Sequence, residues 1–226
     1  LNTIVTKTEE AKKLIRKSIM KYEDKVGVFC SFGKDSMVVL HLALQIDPKI
    51  KVISVMTPFK PKETFDYLDM IRGKWNLDLA VYGVEKVITS PGLYAIDPDE
   101  CCRIYKEEPT KEALHNFDAW ICGLRRTEGR TRVDFEPEER TSRDYLGEEG
   151  DITKINPILD WYEVDIWKYM AIHQIPVHPW YAMGYRSLGC WPCTHIVDDE
   201  ETERAGRWQG TSKCGGECGI HTMHKR

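Results

Sequence analysis

From Val26 to His173, short β-branched runs alternate with longer stretches of helical spacing, and few architectures accept that order. The runs Val26–Phe32, Ile50–Met56, Leu77–Val84 and Trp120–Leu124 read as strands, and Ile152–Leu159 is a candidate fifth. Helices are expected over Asp35–Ile46, Pro61–Trp75, Cys101–Phe117 and Val164–His173, with Pro48 and Pro176 marking two of the stops. Ahead of them, Ala11, Leu14, Ile15, Ser18, Ile19 and Tyr22 recur at helical spacing, and Thr6 and Glu9 are placed as a capping box. The alternation predicts the α/β class, a mostly parallel sheet with helices on both faces. Such sheets bind ligands beyond the carboxyl ends of their strands, which puts Ser31–Ser36, Thr57–Lys60 and Arg125–Arg132 on one rim. The stretch from Arg125 to Asp151, dense in both charge signs, reads as a loop over that rim. From Ala182 onward Gly, Cys and charge replace periodic apolar residues. The expected division is therefore an α/β domain over residues 1–181 and a C-terminal arm over 182–226.

Composition excludes several classes. Lys and Arg total 32 against 36 Asp and Glu, a net charge of −4, which argues against a general nucleic-acid binder. No apolar run approaches the ~18–20 residues of a membrane span, and no signal peptide is visible. The expected compartment is the cytoplasm. The first residue is Leu, so a few residues are expected to be missing ahead of it. The eight cysteines do not suit a secreted disulfide scaffold, which would be short and helix-poor.

SFGKDS, from Ser31 to Ser36, follows the first strand and opens a helix. Backbone N–H groups at a helix start, with Gly33 allowing close approach, favour an anion such as phosphate. The loop is not a Walker A motif. It resembles the S-G-G-x-D-S loop of the adenine-nucleotide α-hydrolases, with Phe32 standing in place of the first Gly. The plain structural reading is a strand–helix turn capped by Asp35 and Ser36.

Cys101 and Cys102 are adjacent, and Cys190 and Cys193 form C-x-x-C. Two close thiol pairs suit a tetrahedral zinc or a 4Fe–4S cluster. Successive side chains point apart, which is awkward for zinc and easier for a larger cluster. Together with GLRRTEGRTR at Gly123, NPILDW at Asn156, ERAGRW at Glu203 and ECGIH at Glu217, the pairs give a pattern that resembles the assimilatory adenylyl-sulfate and phosphoadenylyl-sulfate reductases. The likeness runs from the first strand to the C-terminus.

That resemblance implies an adenine-nucleotide α-hydrolase-like fold and one 4Fe–4S cluster held by Cys101, Cys102, Cys190 and Cys193. It implies reduction of adenylyl sulfate, or its 3′-phosphorylated form, to sulfite. Cys218 would be the nucleophile, forming an S-sulfo intermediate released by thioredoxin or glutaredoxin. Lys106 would stand near both cluster and substrate, and His221 and Lys213 are candidate cations beside the thiol. Arg125, Arg126, Arg204 and Arg207 match substrate-binding positions, joined by Ser31, Phe32, Gly33, Lys34, Asp35, Ser36 and Thr57. Arg130 and Arg132 are weaker candidates, since Gly129 departs from the usual Ser. Lys34, Arg16 and Lys60 could meet a 3′-phosphate, but the cluster favours adenylyl sulfate. Gly215, Gly216 and Gly219 would make the Cys218 segment mobile. Cys214 departs from the pattern, as either a resolving thiol or an incidental one, while Cys30 and Cys122 read as core residues. Oligomerisation with like chains is expected, and neither nucleic acid nor membrane. Competing readings are an ATP-dependent adenylating or thiolating enzyme of the same fold, and an iron–sulfur redox sensor.

Overall fold

The computed structural model describes residues 3–85, 92–198, 200–214 and 216–221. Six strands form one sheet in the order β3-β2-β1-β4-β6-β5. They are β1 (Val26–Phe29), β2 (Lys51–Val55), β3 (Leu79–Tyr82), β4 (Ala119–Cys122), β5 (Glu138–Ser142) and β6 (Asp151–Ile155). All neighbouring pairs are parallel except β5 with β6. Central β1 pairs on both sides, Val28 facing Val52 on β2 and Ile121 on β4. The chain crosses to opposite sides of β1 as it leaves for β2 and later returns at β4. Such a reversal of strand order opens a crevice at the carboxyl ends of the two central strands.

The helices are α1 (Ile4–Tyr22), α2 (Lys34–Leu44), α3 (Lys62–Trp75), α4 (Leu93–Ile96), α5 (Pro98–Cys102), α6 (Glu108–Leu114), α7 (Glu163–Ile172) and α8 (Pro179–Ala182). Helix α2 is apolar almost all round, with Met37, Val38, Val39, Leu40, Leu42 and Ala43 buried, because it lies between the sheet and helices α1 and α7. Each such aliphatic side chain contributes roughly 1.5–3 kcal/mol on burial. Ala11, Ile15 and Ser18 of α1 are buried, as their spacing predicts.

Four local features differ from the sequence reading. Helix α1 starts one turn earlier than expected: Thr3, not Thr6, is the N-cap, its hydroxyl accepting from the Thr6 amide. The stretch 125–151 is not wholly a loop. It contains β5, an edge strand whose EERTS sequence has no apolar alternation to announce it. The fifth parallel segment stops at Ile155, two residues before Pro157. The helix expected over Cys101–Phe117 runs instead from Pro98 to Leu114 and widens into a π-turn at Arg103–Glu107. Pro109 has no N–H for an i−4 bond, so the α ladder is interrupted where the wider turn sits.

Candidate active site

The Ser31–Ser36 loop is fixed by side chains behind it. Phe32 adopts φ 61° and is fully buried edge-on to Tyr67, taking the left-handed conformation that a Gly would adopt freely. Gly33 is the N-cap of α2 and has no side-chain cap, so Asp35 and Ser36 are not the caps expected. The Lys34 amide instead donates to the Tyr181 hydroxyl at 2.8 Å, and the Ser36 hydroxyl donates to the Gly33 carbonyl. Gly123, just after β4, must be glycine: a Cβ there would lie 2.8 Å from the Asp35 carbonyl carbon and the Ser36 nitrogen.

The loop's charged residues are paired. Arg125 is completely buried, donating to Asp35 at 2.5 Å, to Glu203 at 2.6 Å and to the Thr127 hydroxyl. Lys34 lies 2.7 Å from Glu203 and 3.6 Å from Glu163. Burial alone would discharge Asp35, but Arg125 and Lys34 hold its carboxyl below the usual range. Two expectations are corrected here. Arg125 faces carboxylates rather than the cleft, and Lys34 is not a free cation for a 3′-phosphate. Arg126 also lies off the cleft, donating to Asp160 and the Phe135 carbonyl, and Arg16 is exposed on α1. Glu203, which sequence reasoning passed over, pins both Lys34 and Arg125.

A cleft at the carboxyl ends of β1 and β4 collects Ser31, Gly33, Lys34, Asp35 and Ser36 from the loop. Lys60, Lys106, Arg132, Arg204, Arg207, Cys218 and His221 line its other walls. Phe32, Thr57, Arg125 and Arg126 do not line it. Cys30 and Cys122 touch the cleft but are buried, and burial raises their thiols to about 11 and about 12. The Arg130 side chain lies outside the described residues.

Cys218 is held rather than loose. The preceding Glu217 accepts from Arg132 at 2.6 Å, from Arg204 at 2.9 Å and from the Cys218 amide at 2.8 Å. Burial opposes ionisation of Glu217, but Arg132 and Arg204 hold its carboxyl well below the usual range. Gly219 is buried because Glu107 packs on it: a Cβ would come within 1.5 Å of the Glu107 carboxylate. Gly219 thus serves close packing, not mobility, while Gly215 lies outside the described residues. His221 stacks on Trp120, and burial drives its imidazole well below its ordinary value. It is therefore a neutral ring, not the cation expected beside the thiol. Lys213 is paired with Asp99 at 2.6 Å. Cys214 is exposed.

Lys106 projects from the π-turn and lines both the cleft and a second, smaller cavity. Burial works against its charge, but the neighbouring sulfurs of Cys190, Cys218 and Cys102 outweigh it and raise its pKa, so the ammonium form is favoured. The smaller cavity is lined by Cys101, Cys102, Cys190 and Cys193 together with Thr57, whose hydroxyl lies 3.1 Å from the Cys190 sulfur. Thr57 therefore faces the cysteines rather than the nucleotide loop. Cys102, Cys190 and Cys193 pack on the fully buried Trp208, with Cys218 at the margin of the same cluster. Among the described residues, no three His, Cys, Asp or Glu side chains are spaced to hold a single metal ion. No helix is long and apolar enough to cross a membrane, among the same residues.

A mostly parallel sheet with a glycine-bearing loop at its switch point is the arrangement in which α/β proteins bind nucleotides. Residues 25–196 match the phosphoadenosine phosphosulfate reductase domain family, and the chain belongs to that family. It is 32% identical to an adenosine 5′-phosphosulfate reductase of Staphylococcus epidermidis over 96% of this chain and 89% of that one. The corresponding protein of Burkholderia cepacia is 33% identical over 88% and 81%. Among solved structures, the phosphate complex of a Candida auris phosphoadenylyl-sulfate reductase superposes with TM-score 0.70 at 19% identity, over 83% of this chain and 90% of that chain. A U34-tRNA thiolase from Methanococcus maripaludis, solved with its 4Fe–4S cluster, gives TM-score 0.55 at 14% identity, over 77% and 66%. At these identities the structural likenesses establish the fold alone, the adenine-nucleotide α-hydrolase-like arrangement expected.

Proposed function

We propose that this chain reduces adenylyl sulfate, or its 3′-phosphorylated form, to sulfite, with Cys218 as nucleophile. The observation that carries the reading is the single cleft that joins the anion loop at one end to Cys218 at the other. The Cys218 thiolate attacks the sulfuryl sulfur. The bond from that sulfur to the bridging oxygen breaks, and its electron pair leaves on the nucleotide phosphate. An S-sulfo cysteine remains. A dithiol protein, thioredoxin or glutaredoxin, then attacks the cysteine sulfur and releases sulfite, and its second thiol closes the disulfide. Sulfur gains two electrons and the dithiol loses two.

The chain's residues supply the rest. The start of α2 faces the nucleotide phosphate, Arg207 and Lys106 carry positive charge at the Cys218 end of the cleft, and Arg204, through Glu217, positions the Cys218 turn. His221 is neutral and supports the Cys218 turn through its amide, which donates to the Cys218 carbonyl at 3.0 Å. The four buried cysteines of the second cavity supply the all-sulfur donor set of a 4Fe–4S cluster, and the adjacency of Cys101 and Cys102 suits the separated corners of a cluster better than a single zinc. When bound, the cluster supplies fixed charge and a tie between α5 and the 190–193 turn. Adenylyl sulfate is the favoured substrate because, of the cations expected to meet a 3′-phosphate, Lys34 is occupied by carboxylates and Arg16 is exposed on α1, which leaves Lys60 alone in the cleft. The arm from residue 182, the cytoplasmic setting and assembly with like chains belong to the same reading.

The test is sulfite release from each nucleotide by oxygen-free protein with a dithiol donor, with iron measured alongside. Expected are about four irons per chain and a higher kcat/KM for adenylyl sulfate. A preference for the 3′-phosphorylated substrate reverses the choice of nucleotide, and pyrophosphate release from ATP without sulfite formation points to the adenylating class instead.

A further inference from the structure

We propose that Lys60 completes a three-cation subsite at the cysteine end of the cleft and holds the sulfuryl oxygens of the bound sulfated nucleotide. The assignment rests on the reductase reading and deepens it. Lys34, Lys60, Lys106, Arg132, Arg204 and Arg207 are the cations lining the cleft. Lys34, Arg132 and Arg204 each meet at least one carboxylate. Among the described residues, Lys60, Lys106 and Arg207 meet none. Arg207 is 5% exposed, gives one amine to the Leu188 carbonyl, and keeps its Nε buried without a partner. A buried donor of that kind marks a place where an acceptor is missing.

Lys60 is delivered to this wall by a rigid turn. Pro58 follows Thr57, the Lys60 amide donates to the Thr57 carbonyl at 3.1 Å, and the Phe59 amide donates to the Thr57 hydroxyl. The Phe59 ring packs edge-on against Tyr105 of the π-turn, and its carbonyl accepts from the Trp191 amide. The turn is thus clamped between the two segments that carry the cysteine pairs. Lys106 and Arg207 are buried and Lys60 is half-buried, so the three cations repel one another with less screening than on an open surface. An anion that fills the space between them removes that cost. A phosphosulfate anhydride carries two negative charges, which offset the repulsion among the three cations. The anion loop holds the other end of the nucleotide, so Lys60 discriminates for the sulfuryl group and not for adenine or ribose.

Binding measured by calorimetry on oxygen-free Cys218→Ser protein, which does not turn over, tests the assignment. Adding Lys60→Met is expected to weaken adenylyl sulfate binding by about tenfold or more, the loss of one charge-assisted contact. AMP binding should change by less than about threefold, iron content should stay constant, and Lys60→Arg should restore most of the affinity. Unchanged affinity for adenylyl sulfate, or an equal loss for AMP, overturns the assignment. So does loss of iron with intact nucleotide binding, which would place Lys60 in the service of the cysteine cavity. A loss confined to the 3′-phosphorylated nucleotide overturns it as well. If the Cys218→Ser parent binds no sulfated nucleotide, the reductase reading itself fails, an outcome visible before Lys60 is changed.

Discussion

The two ends of the cleft treat positive charge differently. At the loop end Lys34 and Arg125 are buried against Asp35, Glu163 and Glu203, so the charges cancel and what remains is a fixed backbone. At the cysteine end Arg132 and Arg204 are likewise paired, with Glu217, but Lys60, Lys106 and Arg207 line the same wall with no carboxylate partner among the described residues. A paired buried cation mostly positions its surroundings, whereas an unpaired one is available to a ligand. The difference separates residues that shape the site from residues that act in it.

The largest expected effect is at the thiol. Cys218→Ser should lower sulfite formation by about 10³-fold or more, with iron content and thermal stability unchanged. Retained turnover would move the chemistry to another residue. Next comes a direct contrast between the ends. Glu203→Ala takes a close carboxylate from both Arg125 and Lys34, leaving two buried cations to share Asp35 with Glu163 more distant, and should destabilise the fold by about 3–5 kcal/mol in urea unfolding. Arg207→Ala should change stability by no more than about 1 kcal/mol while raising KM for the sulfated nucleotide by about tenfold. Equal stability losses for the two variants would erase the distinction drawn between the ends.

A smaller effect concerns acid. The folded-state pKa of Glu217 is depressed, so its contribution to stability is present above the ordinary carboxylate range and is lost as pH falls below it. Stability between pH 7 and pH 3 should therefore fall more steeply for the wild type than for Glu217→Gln, by about 1–2 kcal/mol in all. Parallel curves would mean that Arg132 and Arg204 do not stabilise the charged carboxylate. Smallest is the His221 signal: burial lowers its pKa, so its ring resonances should stay those of neutral imidazole from pH 8 down to about pH 6. A titration centred near pH 6.5 would restore it as a cation beside the thiol.

Much of this was legible in the amino-acid order, and the exceptions share a physical cause. Strands β1, β2 and β4 show themselves because both their faces are buried, which demands continuous apolar runs, and β3, although an edge strand, carries the apolar run Leu79–Tyr82. Strand β5 does not, since an edge strand facing solvent needs no apolar alternation. The cysteine pairs stand out by spacing, and the structure lines one cavity with all four. Glu203 and Glu217 do not stand out. A carboxylate that pairs with a buried arginine has the same local sequence signature as one on a solvated surface, and only the fold decides which it is. For the same reason Arg125 reads as a substrate contact although it faces Asp35 and Glu203. The π-turn that aims Lys106 left only Pro109 as a hint.

Everything turns on a sulfur atom passing from nucleotide to Cys218. Mass spectrometry of peptides from protein mixed with adenylyl sulfate in the absence of any reductant observes that transfer directly. The expected product is one SO₃ on the peptide that holds Cys218, removed by a dithiol with release of sulfite. An unmodified Cys218 alongside consumed nucleotide, or the adduct on a different cysteine, would contradict the account.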